Sequence, residues 1–316
     1  MNTTVRSVAS TFRIVAACAI GFAMSIPFVV SAEVTSPVLA INEDAATAKI
    51  TVQALRGNVS VLMGSGGNIG VLAEPEGKLL VDAGIAVSKP RVKAALDGIS
   101  TAPLKFLINT HWHWDHSDGN EWVHAEGATI VAHENVMKRL MDRTRVIEWG
   151  YTFPPVPPGA LPTVTYVKQK TIKFGDETVV LSYNGAGHSD GDTTVYFKKA
   201  DVLQLGDIFW NGYYPFIDYG AGGSIDGTIR LTNIALKQGT ADTIIVPGHG
   251  PVGDRAQLTE YRDMLVTIRK NVSTLKKQGK SLAEIVALKP TEKFDAKFGK
   301  YVIDPAFFIL LVYTGV

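Results

Sequence analysis

One short stretch limits what this chain can become. His111-Trp112-His113-Trp114-Asp115-His116 puts three imidazoles and a carboxylate into six consecutive positions, just after the apolar run Leu104–Ile108. Such groups are costly to bury without partners, and both types are good ligands for zinc. Side chains alternate in direction along an extended segment. His111 and His113 therefore point to the same side as the chain leaves the expected strand. Asp115 and His116 follow where the chain turns and can face a second cation, so one loop starts two metal sites.

Three later segments repeat the chemistry. Gly187-His188, Gly206-Asp207 and Gly248-His249-Gly250 each follow an apolar, β-rich run. Each sets a ligand beside glycine, where the backbone can approach a shared centre. Five of the seven histidines fall in these motifs, a recurrence that an adventitious surface tract does not account for. His124 and His133 match none of them and read as structural.

Strand and helix signals alternate along the chain. Short runs such as Val59–Leu62 and Ile69–Leu72 are β-rich and cut by glycine-containing turns, and strand signals recur at Lys78–Val81, Val179–Tyr183, Thr193–Phe197 and Val202–Leu205. Helical spacing is expected over Ser88–Leu96, Asn135–Val146, Ser224–Leu236 and Asp254–Lys277. Ser281-Leu282-Ala283-Glu284 has the spacing of a capping box. Tyr151–Pro162 holds five prolines in twelve residues and is expected to be a loop, with a lid over the site as one reading. The apolar tail Phe307–Val312 is too short to span a bilayer and is expected to dock on the core. This alternation implies a layered α/β domain.

The first 32 residues stand apart. Arg6 and Arg13 lead into the apolar run Ile14–Val30, and Ser31-Ala32 supplies small residues before Glu33. That layout reads as a secretory signal peptide cleaved after about Ala32, with residues 33–316 as a single exported domain, periplasmic or secreted. A retained membrane anchor is the alternative. The only cysteine, Cys18, lies in this leader, so the mature chain has neither a thiol catalyst nor a thiolate zinc ligand. Without the leader, 29 basic residues face 30 acidic ones, a net charge of −1. That balance favours a small-molecule substrate over nucleic acid or an anionic membrane surface, with no stable membrane association expected after cleavage.

The ordered set HxHxDH, Gly-His, Gly-Asp and Gly-His-Gly, with Val81-Asp82-Ala83-Gly84 ahead of it, resembles the metallo-β-lactamase superfamily from about Gly57 to Gly253. The resemblance implies a four-layer αβ/βα sandwich: two mixed β-sheets packed face to face, helices on both outer sides, and the site at one edge. It implies His111, His113 and His188 on a first metal, Asp115, His116 and His249 on a second, and Asp207 between them. The expected cofactor is a pair of zinc ions or of other divalent cations. Two departures separate the chain from the family's β-lactamases: no cysteine occupies the bridging region, and Asp207 is present. Asp207 is similar to the pattern of glyoxalase II, lactonases and general hydrolases.

The chemistry expected is hydrolysis of an ester, lactone, thioester or amide by a hydroxide shared between two metals. Asp115 is the candidate for orienting that hydroxide or passing its proton. Asp82 and Asp192 are candidates for holding ligands from behind. Trp112, Trp114, Trp210, Tyr213 and Tyr214 are candidates for the substrate wall, since five aromatics in eight residues follow Asp207 closely. The alternatives are β-lactam hydrolysis and, from another class, a metal-binding scaffold without turnover.

Overall fold

The strand Gly77–Val81 is buried along its whole length because both of its faces are covered. The computed structural model describes residues 36–316; the expected leader lies outside the described residues. Strands β1 (Thr51–Ala54), β2 (Val59–Met63), β3 (Ile69–Glu74) and β4 (Gly77–Val81) form an antiparallel meander. β5 (Leu104–Ile108) and β6 (Thr129–His133) extend it in parallel. The chain then makes a separate antiparallel hairpin of β7 (Thr144–Val146) and β8 (Tyr151–Phe153). It returns to complete the seven-stranded sheet with β9 (Val164–Tyr166), parallel to β6.

The second sheet has five strands: β10 (Gln169–Phe174), β11 (Glu177–Tyr183), β12 (Thr193–Phe197), β13 (Val202–Gln204) and β14 (Ile244–Val246). The first four are antiparallel, and β14 joins β13 in parallel. Both sheets are therefore mixed, as the resemblance implied.

Residue alternation distributes the core. On β4, Leu79 and Val81 face the second sheet, where they pack with Val179, Leu181, Val195 and Phe197. Leu80 between them faces outward, toward Val92, Leu96, Trp122 and Val123 of the helices Lys89–Ile99 and Asn120–Ala125. Outside the second sheet lie the helices Ile225–Ala235, Arg255–Lys277 and Pro305–Thr314, with Leu231, Tyr261, Leu265 and Phe308 buried beneath them. Helices on both outer faces and two sheets between them make the four layers.

Asp254 and Ser281 each close a capping box, with Gln257 and Glu284 respectively. The apolar tail becomes the helix Pro305–Thr314, whose Phe308, Ile309, Leu311 and Val312 are buried. Two expectations need correcting. The helix expected to reach Val146 ends at Met141, and Thr144–Val146 instead pairs with Tyr151–Phe153, taken from the expected proline-rich loop. The reason is tertiary: Val146, Trp149 and Phe153 all pack against the aromatic core beside Trp112 and Trp114. Strand β10 and the helices Pro37–Thr47 and Glu292–Phe298 carried no clear signal.

Candidate metal centre

The ligand-bearing turns all lie at one edge of the sandwich, where strands of both sheets end. β5 ends at Ile108 and hands the chain through Asn109 and Thr110 to His111 and His113, with Asp115 and His116 on the first turn of a short helix, Trp114–Ser117. His188 leads the turn between β11 and β12, Asp207 follows β13, and His249 follows β14. Tight backbone approach explains the glycines. A Cβ on Gly67 would collide with the His116 ring, and one on Gly248 would collide with the Asp207 carboxylate.

Two groups of candidate ligands result. His111, His113, His188 and Asp207 offer donor atoms within 4.8 Å of one another, and so do Asp115, His116 and His249. Within the first, His188 Nε2 lies 2.8 Å from His113 Nδ1 and 3.5 Å from Asp207 Oδ2. Asp207 Oδ2 is also 3.7 Å from His111 Nε2. Its other oxygen, Oδ1, faces the second group, 3.1 Å from His116 Nε2 and 3.4 Å from His249 Nε2. His249 Nε2 is in turn 3.2 Å from Asp115 Oδ2. The two oxygens of one carboxylate thus serve different clusters.

These residues fit a pair of divalent cations. Donors about 2.0–2.2 Å from a tetrahedral zinc stand roughly 3.4 Å apart, and the spacings above bracket that value. His111 Nε2 and Asp207 Oδ1 are buried yet make no hydrogen bond among the described residues; buried polar atoms normally have a partner. The first belongs to the His113–His188 cluster and the second faces His116 and His249.

Charges within the site are strongly coupled. Burial would raise the Asp207 carboxyl, but the imidazoles of His249, His116, His111 and His188 outweigh it and hold it well below the usual range. Burial opposes protonation of His249, yet Asp207 and Asp115 carry it up to about 9. The same two carboxylates, with Asp82, hold His116 well above its ordinary value against burial. His111 goes the other way, held down by burial and by the neighbouring His116. Without cations, protons on His116 and His249 balance the carboxylates; bound cations would displace them.

Ring orientation is fixed from behind. Asp82 Oδ2 accepts from His116 Nδ1 at 2.9 Å and from the Thr110 hydroxyl at 2.7 Å. Having donated its proton to Asp82, that hydroxyl accepts from His111 Nδ1 at 3.1 Å. Asp82 therefore orients two imidazoles and leaves Nε2 of each as the donor atom. Asp82 itself has φ 66°, an uncommon conformation for a residue with a side chain, and its Oδ1 accepts from Thr110 N at 2.8 Å.

Asp192 supports His188 through the backbone. Its carboxylate accepts from the backbone of His188 and Ser189 and from the Ser189 hydroxyl, shaping the turn and not touching the imidazole. The His188 ring instead donates from Nδ1 to the Phe216 carbonyl at 2.8 Å. Burial pushes the Asp192 carboxyl up to about 6.

Sequence reading missed Asp218, which accepts from His113 Nε2 at 3.0 Å and from Ala221 N at 2.8 Å. A carboxylate inside the aromatic run Tyr213–Tyr219 was the available signal. His124 and His133 each bond a backbone carbonyl, of Ala128 and Val167, away from the clusters.

Among the aromatic candidates, only some border the donors. Trp210 lies beside His249 with ring centroids 4.3 Å apart, and Tyr213 stacks on Tyr301. Trp112 and Trp114 are buried, packing on Phe153, with Trp114 also bonded to Asn42. Tyr214 is a correction: it is fully enclosed, stacks on Phe308 at 4.6 Å and donates its hydroxyl to Asp295 at 2.8 Å, so it faces no substrate. Trp149 and Tyr301 were not foreseen. The first lies 5.7 Å from the His113 ring and 4.5 Å from Phe216. Tyr301 comes from the C-terminal segment and reaches to 6.4 Å from the His249 ring.

Comparison with known proteins gives relatives by sequence and by fold. Curated relatives include the metallo-beta-lactamase type 2 of Bacillus cereus, 27% identical over 160 residues, which are 50% of this chain and 57% of the relative. That of Bacillus sp. (strain 170) is 27% identical over 159 residues, covering 50% and 56%. The chain thus spans little more than half the length of the curated relatives it matches. Among solved structures, a metallo-beta-lactamase from Pontibacter korlensis has a TM-score of 0.53 at 20% identity, covering 69% of this chain and 99% of that one. A double mutant of the sec-alkyl sulfatase PisA1 has a TM-score of 0.64 at 14% identity, covering 87% and 51%. The profile described as Metallo-beta-lactamase superfamily matches residues 62–270, which contain every candidate ligand. With two mixed sheets between helical layers and both ligand clusters at their common edge, the chain belongs to the metallo-β-lactamase superfamily.

Proposed function

We propose that the protein is a two-zinc hydrolase of a small molecule carrying an ester, lactone, thioester or amide bond. The observation that carries this reading is Asp207, whose Oδ2 faces one cluster while Oδ1 faces the other. A carboxylate so placed holds two cations close enough to act on one substrate. Bound there, the cations supply Lewis acidity and lower the pKa of water to about 7.

The chain's own side chains do the rest. His111, His113 and His188 hold the first cation; Asp115, His116 and His249 hold the second. Asp82, Thr110 and Asp218 keep the imidazoles in one tautomer and orientation. Asp115 is the carboxylate best placed to receive a proton from attacking water, because its oxygen lies at the edge of the second cluster beside His249. The buried aromatic rings behind His113 exclude water from that side.

A second reading, β-lactam hydrolysis, is favoured by the names of the curated relatives. The absence of cysteine outside the leader and the presence of Asp207 favour the broader hydrolase. Export is part of the proposal, supported by the charge and hydropathy layout of residues 1–32. Zinc-loaded protein lacking that leader, tested on an ester, lactone, thioester, amide and nitrocefin panel, separates the readings. Turnover on at least one carbonyl substrate, abolished by His111→Ala, is expected; a full complement of zinc with no turnover on any substrate overturns the proposal.

A further inference from the structure

Access to the donor residues is uneven. His111, His113, His116 and His188 are at most 1% exposed, whereas Asp115 and His249 are each 6% exposed. Trp149, Phe216 and Trp114 close the His113 side. A substrate must therefore approach from the Asp115–His249 side. The ring that borders this side is Tyr301, 6.2 Å from Trp210 and stacked on Tyr213 at 4.5 Å and 29°. Tyr301 stays 40% exposed.

Tyr214, next to Tyr213, is placed oppositely. Tyr214 bonds Asp295 and the Thr291 carbonyl through its hydroxyl, and its backbone N–H donates to the Phe298 carbonyl. The aromatic next to Tyr213 thereby clamps the helix Glu292–Phe298, and the chain leaving that helix delivers Tyr301 to the site. Residue 301 lies beyond 270, where the family match ends. The C-terminal segment thus adds an aromatic ring beside the metal floor, 6.4 Å from the His249 ring.

We propose that Tyr301, together with Tyr213, forms the face that holds a flat, apolar group of the substrate beside Asp115 and His249, selecting aryl over small alkyl esters. The substrate class rests on the hydrolase reading; the aromatic-binding face does not. Stacking on a pair of rings is geometry-specific and gains little from a small alkyl group.

The test compares the wild type with Tyr301→Ala, Tyr301→Phe and Tyr213→Leu, all zinc-loaded and checked for zinc content and thermal midpoint. Steady-state kinetics use 2-naphthyl acetate and ethyl acetate, and 2-naphthoate binding is read separately by quenching of tryptophan fluorescence. Tyr301→Ala is expected to raise KM for naphthyl acetate about 3- to 10-fold and to weaken naphthoate by a similar factor. KM for ethyl acetate stays within about twofold, Tyr301→Phe resembles the wild type, and Tyr213→Leu follows Tyr301→Ala. Equal loss on both esters, or unchanged naphthoate affinity, overturns the proposal, as does a wild type that binds no naphthoate. If the wild type cleaves no carbonyl substrate but binds naphthoate through Tyr301, the hydrolase reading falls and the aromatic face stands.

Discussion

His113 and His249 offer the same kind of donor atom in opposite surroundings. His113 is held by Asp218 behind it and walled by Trp149 and Phe216. His249 is flanked by Trp210 and Tyr301 and lies with Asp115 on the side that solvent reaches. His113 thus lies on the enclosed side of the site and His249 on the more open one. Asp207, with an oxygen facing each cluster, couples them.

The strongest way to break that comparison is Asp207→Ala. Removing the shared carboxylate is expected to lower kcat/KM by roughly 10³-fold and to reduce bound zinc below two per chain, read by kinetics and elemental analysis. Turnover within tenfold of the wild type would mean that the clusters act independently. Chelation comes next. A ligand present at about 100 times its Kd stabilises by roughly 2.7 kcal/mol, so stripping two cations, about 5.4 kcal/mol together, should lower the thermal midpoint by about 10–20 °C. An unchanged melt would mean that the clusters hold no metal in the folded protein.

Asp82→Asn and Asp218→Asn sharpen the contrast between the clusters. Asp82 orients His116 directly and His111 through Thr110, so its loss touches both clusters. Asp218 reaches His113 alone among the imidazoles. Zinc affinity should fall about 100-fold in the first variant and about 10-fold in the second, measured by competition with a fluorescent chelator. Equal losses would erase the distinction. The smallest effect is expected for Tyr214→Phe. Losing the hydroxyl bond to Asp295 should cost about 1 kcal/mol in urea denaturation and leave zinc content unchanged.

The ligand floor was legible because its chemistry is local. His111 to His116 lie in one loop, and the other donors sit beside glycines at strand ends, so motif and geometry coincide. Asp82 was readable from its strand-end position. Asp218 was not, although a carboxylate in an apolar aromatic run is a usable signal that went unread. The sheets were legible in their apolar runs; the hairpin of β7 and β8 was not, because Thr144–Val146 continues a helical-looking pattern and finds its strand partner only across a turn. Tyr213 and Tyr214 mark the limit most sharply. They are adjacent and identical, yet one borders the site and the other clamps a helix from inside the core.

By itself, the sequence determined which atoms can bind metal and the layered class that brings strand ends together, since both follow from residue type and short-range periodicity. Tertiary structure alone decided which aromatic rings face the cations. That choice depends on how the helix Glu292–Phe298 and the hairpin of β7 and β8 pack against distant segments. Such contacts are set by shape and burial across the whole domain, and no local pattern encodes them.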